Sequence, residues 1–169
     1  MMLAGASRKT ALTAHVLVSV GWVGAVAAFL GLAVLGLTTS DDVIVRAVYI
    51  SAGYLARLVI VPLSLLTIGT GVFQSLATPW GLFNYYWVVI KFMLTVLAVG
   101  VLLLHTQPIE TLAHAATTSA PTVIALRSLR TQIALDAAAG LLVLVVVTVL
   151  SVFKPQGITP LGRRKRQDA

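Results

Sequence analysis

Charged residues are absent from Ala11 to Thr39, and Val16–Leu37 is almost wholly apolar. A membrane helix needs about 20 mostly apolar residues, because the hydrocarbon core is about 30 Å thick. The pattern therefore predicts a first span over about 12–37. A secretory signal peptide has an apolar core of about 7–15 residues, shorter than this one, and no small-x-small cleavage site follows. A retained span is expected. From Leu58 to Ile90 a further 33 residues lack charge, interrupted by Thr78-Pro79-Trp80-Gly81. Proline and glycine beside a small polar residue mark a turn, which divides the stretch into spans over about 55–77 and 86–105. A fourth covers about 131–153 and stops before Lys154-Pro155. The predicted fold is an all-α transmembrane four-helix bundle.

Two helices outrun the membrane. Ser40-Asp41-Asp42 is a helix start, since Ser caps free backbone N–H groups and early Asp suits the helix dipole. A helix from there to Leu76 would contain Pro62, which cannot donate to the carbonyl of Leu58 and should bend it. Pro121 is suited to the first helical position, and a helix from it to Phe153 would be about 50 Å long. The surplus would form short extramembrane helical extensions on the outer side, joined by 108–120. A short amphipathic helix and a break would satisfy the pattern equally.

Composition agrees with lipid as the solvent. Hydrophobic residues make up 59% of the 169 and charged residues 10%, against about 25% charged in soluble domains. The mean hydropathy is +0.99. A soluble fold lacks a polar skin here, disorder requires low hydrophobicity, and the length excludes a large multidomain enzyme. With no cysteine, disulfides, thiolate metal sites and thiol catalysis are excluded.

The net charge of +7 does not point to nucleic acid, because the basic residues flank the spans. Eight of them (Arg8, Lys9, Lys91, Lys154 and the run Arg163, Arg164, Lys165, Arg166) fall on one side, and Arg46, Arg57, Arg127 and Arg130 on the other. That bias places both termini in the cytoplasm of a multi-pass cell (plasma) membrane protein. Trp80, Tyr85, Tyr86 and Trp87 would form an inner aromatic belt. Residues 1–153 form the membrane domain. The basic tail 154–169 carries Pro155, Gly157, Pro160 and Gly162, so it is expected to be disordered, with Arg163–Arg166 contacting anionic lipids or simply fixing topology.

Small residues recur at helical spacing in the first span: Gly21/Ala25, Gly24/Ala28 and Ala27/Gly31. Thr67/Gly71, Ala134/Ala138 and Asp136/Gly140 repeat the pattern. Such pairs let helices approach closely in lipid, either within the bundle or in a homodimer.

Ionisable residues in a span are functional-site hypotheses by default. Arg57, His105 and Asp136 form an outer cluster, read either as an Arg57–Asp136 ion pair locking two spans or as the floor of a polar pocket. His114, Arg127 and Arg130 would join that pocket, and their charge would favour an anionic ligand or lipid head group. His15 and Lys91 form an inner pair near Gln74. Lys91 can snorkel to the head groups, and His15 can ligate haem or shuttle protons. On length alone His15 and His105 lie nearly a membrane apart and cannot both ligate one haem. No catalytic constellation appears: there is no His-Glu-x-x-His spacing, and Gly69-Thr70-Gly71 is a packing feature within a span.

His15-x6-Trp22-x-Gly24 in the first span, with Trp87-x3-Lys91 opening a later one, resembles small bacterial four-span membrane proteins. It is distantly similar to copper-resistance D membrane domains and the J-type protoporphyrinogen oxidase, over roughly residues 12–105. The resemblance implies haem b as a cofactor, with His15 as its ligand and Lys91 as a nearby charged partner. Three functional readings follow. One is a non-enzymatic bundle, an accessory subunit of a membrane complex. The second is a haem-binding redox protein using His15. The third is a small transporter or ligand-binding membrane protein using the outer cluster.

Overall fold

The computed structural model describes residues 5–77, 81–118, 125–155 and 157–167, with side chains up to residue 164. It is an all-α bundle. Four helical stretches, Gly5–Thr38, Asp42–Leu76, Tyr86–Thr118 and Arg127–Phe153, are long and apolar enough to cross a membrane. In each, only 22% of the most apolar stretch is buried inside the protein. Leu17, Leu58, Leu97 and Leu142 face outward, so the surface these helices present is one that lipid, not water, would solvate.

Helix α1 (Gly5–Thr38) runs without interruption, about 51 Å at 1.5 Å per residue. Helix α2 (Asp42–Leu55) is capped by Asp41, not Ser40: the Asp41 carboxylate accepts from the N–H of Val43 at 2.8 Å and of Ile44 at 3.2 Å. The helix then passes through a π-helical turn, Ala56–Ile60, into α3 (Val61–Leu76) without a break. The N–H of Val61 reaches back five residues to the carbonyl of Ala56. Pro62 explains this widened turn, since its ring crowds the carbonyl four residues before it and offers no N–H.

Helix α4 (Tyr86–Leu104) and helix α5 (Thr106–Thr118) are separated only at His105. Helix α6 (Arg127–Phe153) ends at Lys154, which adopts φ 44°; Pro155 disfavours right-handed helix at the residue before it. The predicted turn at Thr78-Pro79-Trp80 and the predicted helix start at Pro121 lie outside the described residues.

Spans α1, α3, α4 and α6 pack as a ring in which α1 and α4 each touch both α3 and α6, so neighbours run antiparallel. At the end away from the termini, α2 and α5 pack on each other, α2 also on α1 and α5 also on α6. The core of this cap includes Tyr49, Leu112 and Ala116. Gly53 permits the closest α2–α5 approach, because a Cβ there would lie 2.6 Å from the Cβ of Ala113. The helical extensions are thus a small folded layer built on the bundle.

The tail departs from the expectation of disorder. Gly157 O accepts from Tyr86 N at 3.2 Å, Thr159 N donates to Asn84 O at 3.0 Å, and Thr159 Oγ1 donates to Phe83 O at 2.6 Å. Helix α7 (Pro160–Gln167) follows. The physical reason is that the α3–α4 loop has backbone groups to satisfy, and the extended 157–159 segment pairs with them.

Candidate ligand cavity

His105 sits where α4 gives way to α5, and its Nδ1 lies 2.8 Å from Val101 O. A carbonyl only accepts, so Nδ1 carries the hydrogen. Nε2 lies 3.0 Å from Asp136 Oδ2 on α6, near enough for an ion pair, although the angle falls outside a hydrogen bond. Asp136 Oδ2 is therefore buried close to a base without a well-aligned donor.

These two residues line a cavity of about 210 Å³ between α1, the π-helical turn, α4, α5 and α6. The rest of its wall is apolar and includes Phe29, Ile60 and Leu144. Exposed Leu97, Val101 and Ala139 also line it, so the cavity reaches the exterior between α4 and α6, facing lipid. Trp22 completes the wall. It is 3% exposed, and its indole Nε1 has no hydrogen-bond partner among the described residues. An unsatisfied buried donor costs about 1–3 kcal/mol.

The expected outer cluster is only partly brought together. Asp136 pairs with His105, not with Arg57. Arg57 is exposed on the π-helical turn, whose Ala56 and Ile60 face the cavity instead. His114 and Arg127 are exposed as well. Arg130 is 6% exposed and turned into the cap, where its guanidinium donates to Tyr49 Oη at 3.2 Å and to Gly36 O. Arg46 donates through Nε to Ala116 O at 2.7 Å. Both arginines thus satisfy carbonyls in the last turns of α1 and α5, where helices leave carbonyls unpaired and the dipole favours cations. The anion-attracting pocket anticipated from these cations is not assembled.

At the opposite end, His15 Nδ1 lies 2.9 Å from Thr70 Oγ1. The Thr70 hydroxyl donates its single hydrogen to Leu66 O at 2.7 Å, so Nδ1–H is the donor to Thr70 and neutral His15 keeps its lone pair on Nε2. Lys91 lies within Coulombic range of His15, with its Nζ 5.6 Å from the Trp87 ring centroid. Trp87 is buried beneath it and not part of an interfacial belt, whereas Tyr86 is exposed. Trp80 lies outside the described residues. Arg163 and Arg164 are exposed on α7; the side chains of Lys165 and Arg166 lie outside the description.

Sequence reasoning reached His105 and Asp136 through their charge but missed Trp22 as a cavity residue. A signal existed, since tryptophan favours membrane interfaces and Trp22 stands mid-span with an N–H to satisfy. No protein-family model, curated protein or solved structure matches this chain.

Proposed function

We propose that this four-span protein binds a lipid-soluble small molecule, which enters its cavity sideways from the bilayer between α4 and α6. The observation that carries the reading is an apolar cavity, lipid-facing at one side, with the His105–Asp136 pair on its wall. Soluble binding sites share this design of apolar walls with a few convergent polar groups. A cavity of about 150 Å³ holds benzene, so this one has room for a ring-sized head while a tail stays in lipid. The reading requires no enzymatic step.

Gly140 lines the cavity, and a Cβ placed there meets nothing within 4 Å, so the larger side chain of Gly140→Leu starts into open space and is expected to take up part of the cavity. Wild-type protein in mild detergent is expected to carry a stoichiometric lipophilic molecule, seen by mass spectrometry, that the folded Gly140→Leu protein lacks. Equal retention by both, or none by either, overturns the reading.

A second reading is favoured by the hydrogen-bond arrangement at His15. A ring that donates through Nδ1 and keeps Nε2 free is oriented as iron-ligating histidines are, and Lys91 stands near enough to meet an acidic haem substituent. Haem would supply one-electron chemistry. His105, with Nδ1 engaged at the far end of the bundle, is not a second ligand. Expression with added haem is expected to give a Soret band that His15→Ala abolishes; a wild-type protein without that band rules haem out.

A further inference from the structure

We infer that the His105–Asp136 pair is a proton-controlled latch across the lateral opening of the cavity. The opening lies between α4 and α6 and is bordered by exposed Leu97, Val101 and Ala139. The pair spans the same two helices. His105 follows Val101 by one turn, Asp136 precedes Gly140 by one turn, and Nε2 and Oδ2 meet at 3.0 Å. His105 is also the point where α4 gives way to α5. Helix α5 is held in the cap by its packing on α2, so α4 has a pivot at that junction, and the contact with Asp136 sets its angle to α6.

The chemistry of the contact makes it depend on a proton. Nδ1 carries a hydrogen because it faces Val101 O, so Nε2 is a bare lone pair in the neutral ring and an N–H in the charged one. Lying off the axis of a hydrogen bond, the contact draws its strength from charge. An imidazolium attracts the carboxylate, more strongly beside an apolar wall than in water. A neutral ring instead turns an electron-rich nitrogen on the carboxylate and repels it. The two side chains are 26% and 34% exposed, so protons reach the pair without unfolding. No other charged side chain lines the cavity. Arg57 of the π-helical turn, Glu110 and His114 of α5 and Arg127 of α6 are exposed, and Arg130 is turned into the cap. Helix α3 carries no titratable residue, and Arg8, Lys9 and His15 of α1 and Lys91 of α4 lie toward the opposite end of the bundle. Losing the proton as pH rises therefore loosens α4 from α6, and regaining it draws them together.

The chain contains no cysteine, so nitroxide labels attach only where cysteines are introduced. Met93 of α4 and Leu142 of α6 are exposed and do not line the cavity. Labelled Met93→Cys/Leu142→Cys protein in phosphatidylcholine nanodiscs gives the distance between the helices by double electron–electron resonance. It is measured at about pH 5 and about pH 8, the range over which histidine ordinarily changes charge. The distance is expected to lengthen by roughly 2 Å at the higher pH, the scale of helix shifts in switching proteins, and to stay constant when Asp136→Asn is added. An unchanged distance without Asp136→Asn overturns the inference, and so does a shift of full size with it, which assigns the response to another group. The first comparison decides the matter even if Asp136→Asn does not fold. The inference rests on the cavity reading only for what the opening admits, and the two fail separately. A fixed distance in a protein that retains a lipophilic molecule removes the latch alone, whereas a responding distance without any bound molecule upholds the latch and removes the cavity reading.

Discussion

Arg130 of α6 closes the end of α1 by donating to the carbonyl of Gly36, a group that the last helical turn leaves without an amide partner. The same guanidinium lies over Tyr49 of α2, with Cζ 5.4 Å from the ring centroid, so one buried cation joins three helices of the cap. Arg130→Ala strands both acceptors and is expected to destabilise the protein by about 3 kcal/mol. Tyr49→Phe leaves the Gly36 contact in place and should lose about 1 kcal/mol. Thermal unfolding in mild detergent ranks the two variants. Equal midpoints for both would remove the capping role.

Gly36 and Gly31 lie on the same helix but answer differently to a methyl group. A Cβ at Gly36 would lie 2.8 Å from the Tyr49 ring, whereas at Gly31 nothing lies within 4 Å. Gly36→Ala should destabilise by about 1–3 kcal/mol through overpacking. Gly31→Ala should be neutral or stabilising by up to about 1 kcal/mol, as expected for alanine replacing glycine in a helix. Opposite signs of the shift in unfolding temperature are the expected result, and matching signs would contradict the packing described.

This contrast shows what the chain made legible. Span number and limits follow from where charge is missing, because the energetic rule is one-dimensional: a charged group does not sit in hydrocarbon unassisted. The cap was legible as surplus helix length. Azimuth was not. Spacing singled out Gly24 and Gly31, which face outward, and passed over Gly36, because the same spacing fits either side of a helix. Arg57 failed for a related reason. The π-helical turn before Pro62 changes the phase of the helix, so a residue at the right depth points the wrong way. Arg130 was read as a pocket cation because nothing in its neighbourhood of sequence names Gly36 or Tyr49 as partners.

The π-helical turn shapes one wall of the cavity through Ala56 and Ile60, so Pro62 bears on the site without touching it. Pro62→Ala restores the missing N–H and allows an ordinary α-helical turn. Proline inside a helix is about 3 kcal/mol less favourable than alanine, and the existing π-helical turn already relieves part of that. A stability gain on the order of 1 kcal/mol is expected, together with weaker ligand retention as Ala56 and Ile60 rotate. Unchanged retention in a stabilised variant would show that the turn does not shape the site.

Thr159 fastens the tail, since its hydroxyl donates to Phe83 O and accepts from Gly162 N at 3.2 Å. Thr159→Val keeps the side-chain shape and removes both bonds, at a cost of about 1 kcal/mol each. Limited trypsin treatment reads this directly, because Arg163 and Arg164 follow within one helical turn. Cleavage there should accelerate several-fold in Thr159→Val. Equal rates would mean that the segment opens independently of its contacts with the α3–α4 loop.

Fastening the tail also fixes where its charge lies. Helix α7 begins three residues after Gly157, whose carbonyl is bonded to Tyr86 at the start of α4, so the basic run stays close to the end of the bundle. Each Lys or Arg near an anionic surface contributes about 1 kcal/mol, falling off within a Debye length. Replacing Arg163, Arg164, Lys165 and Arg166 by Gln should therefore reduce the co-purification of phosphatidylglycerol over phosphatidylcholine several-fold in mixed nanodiscs at low salt. The difference should shrink at 0.5 M salt, where screening is nearly complete at these distances. Thr159→Val, which keeps every charge but loosens its tether, should fall between the two. If all three proteins retain the same lipid ratio, the run does not recruit lipid, and orienting the chain during insertion is its remaining role.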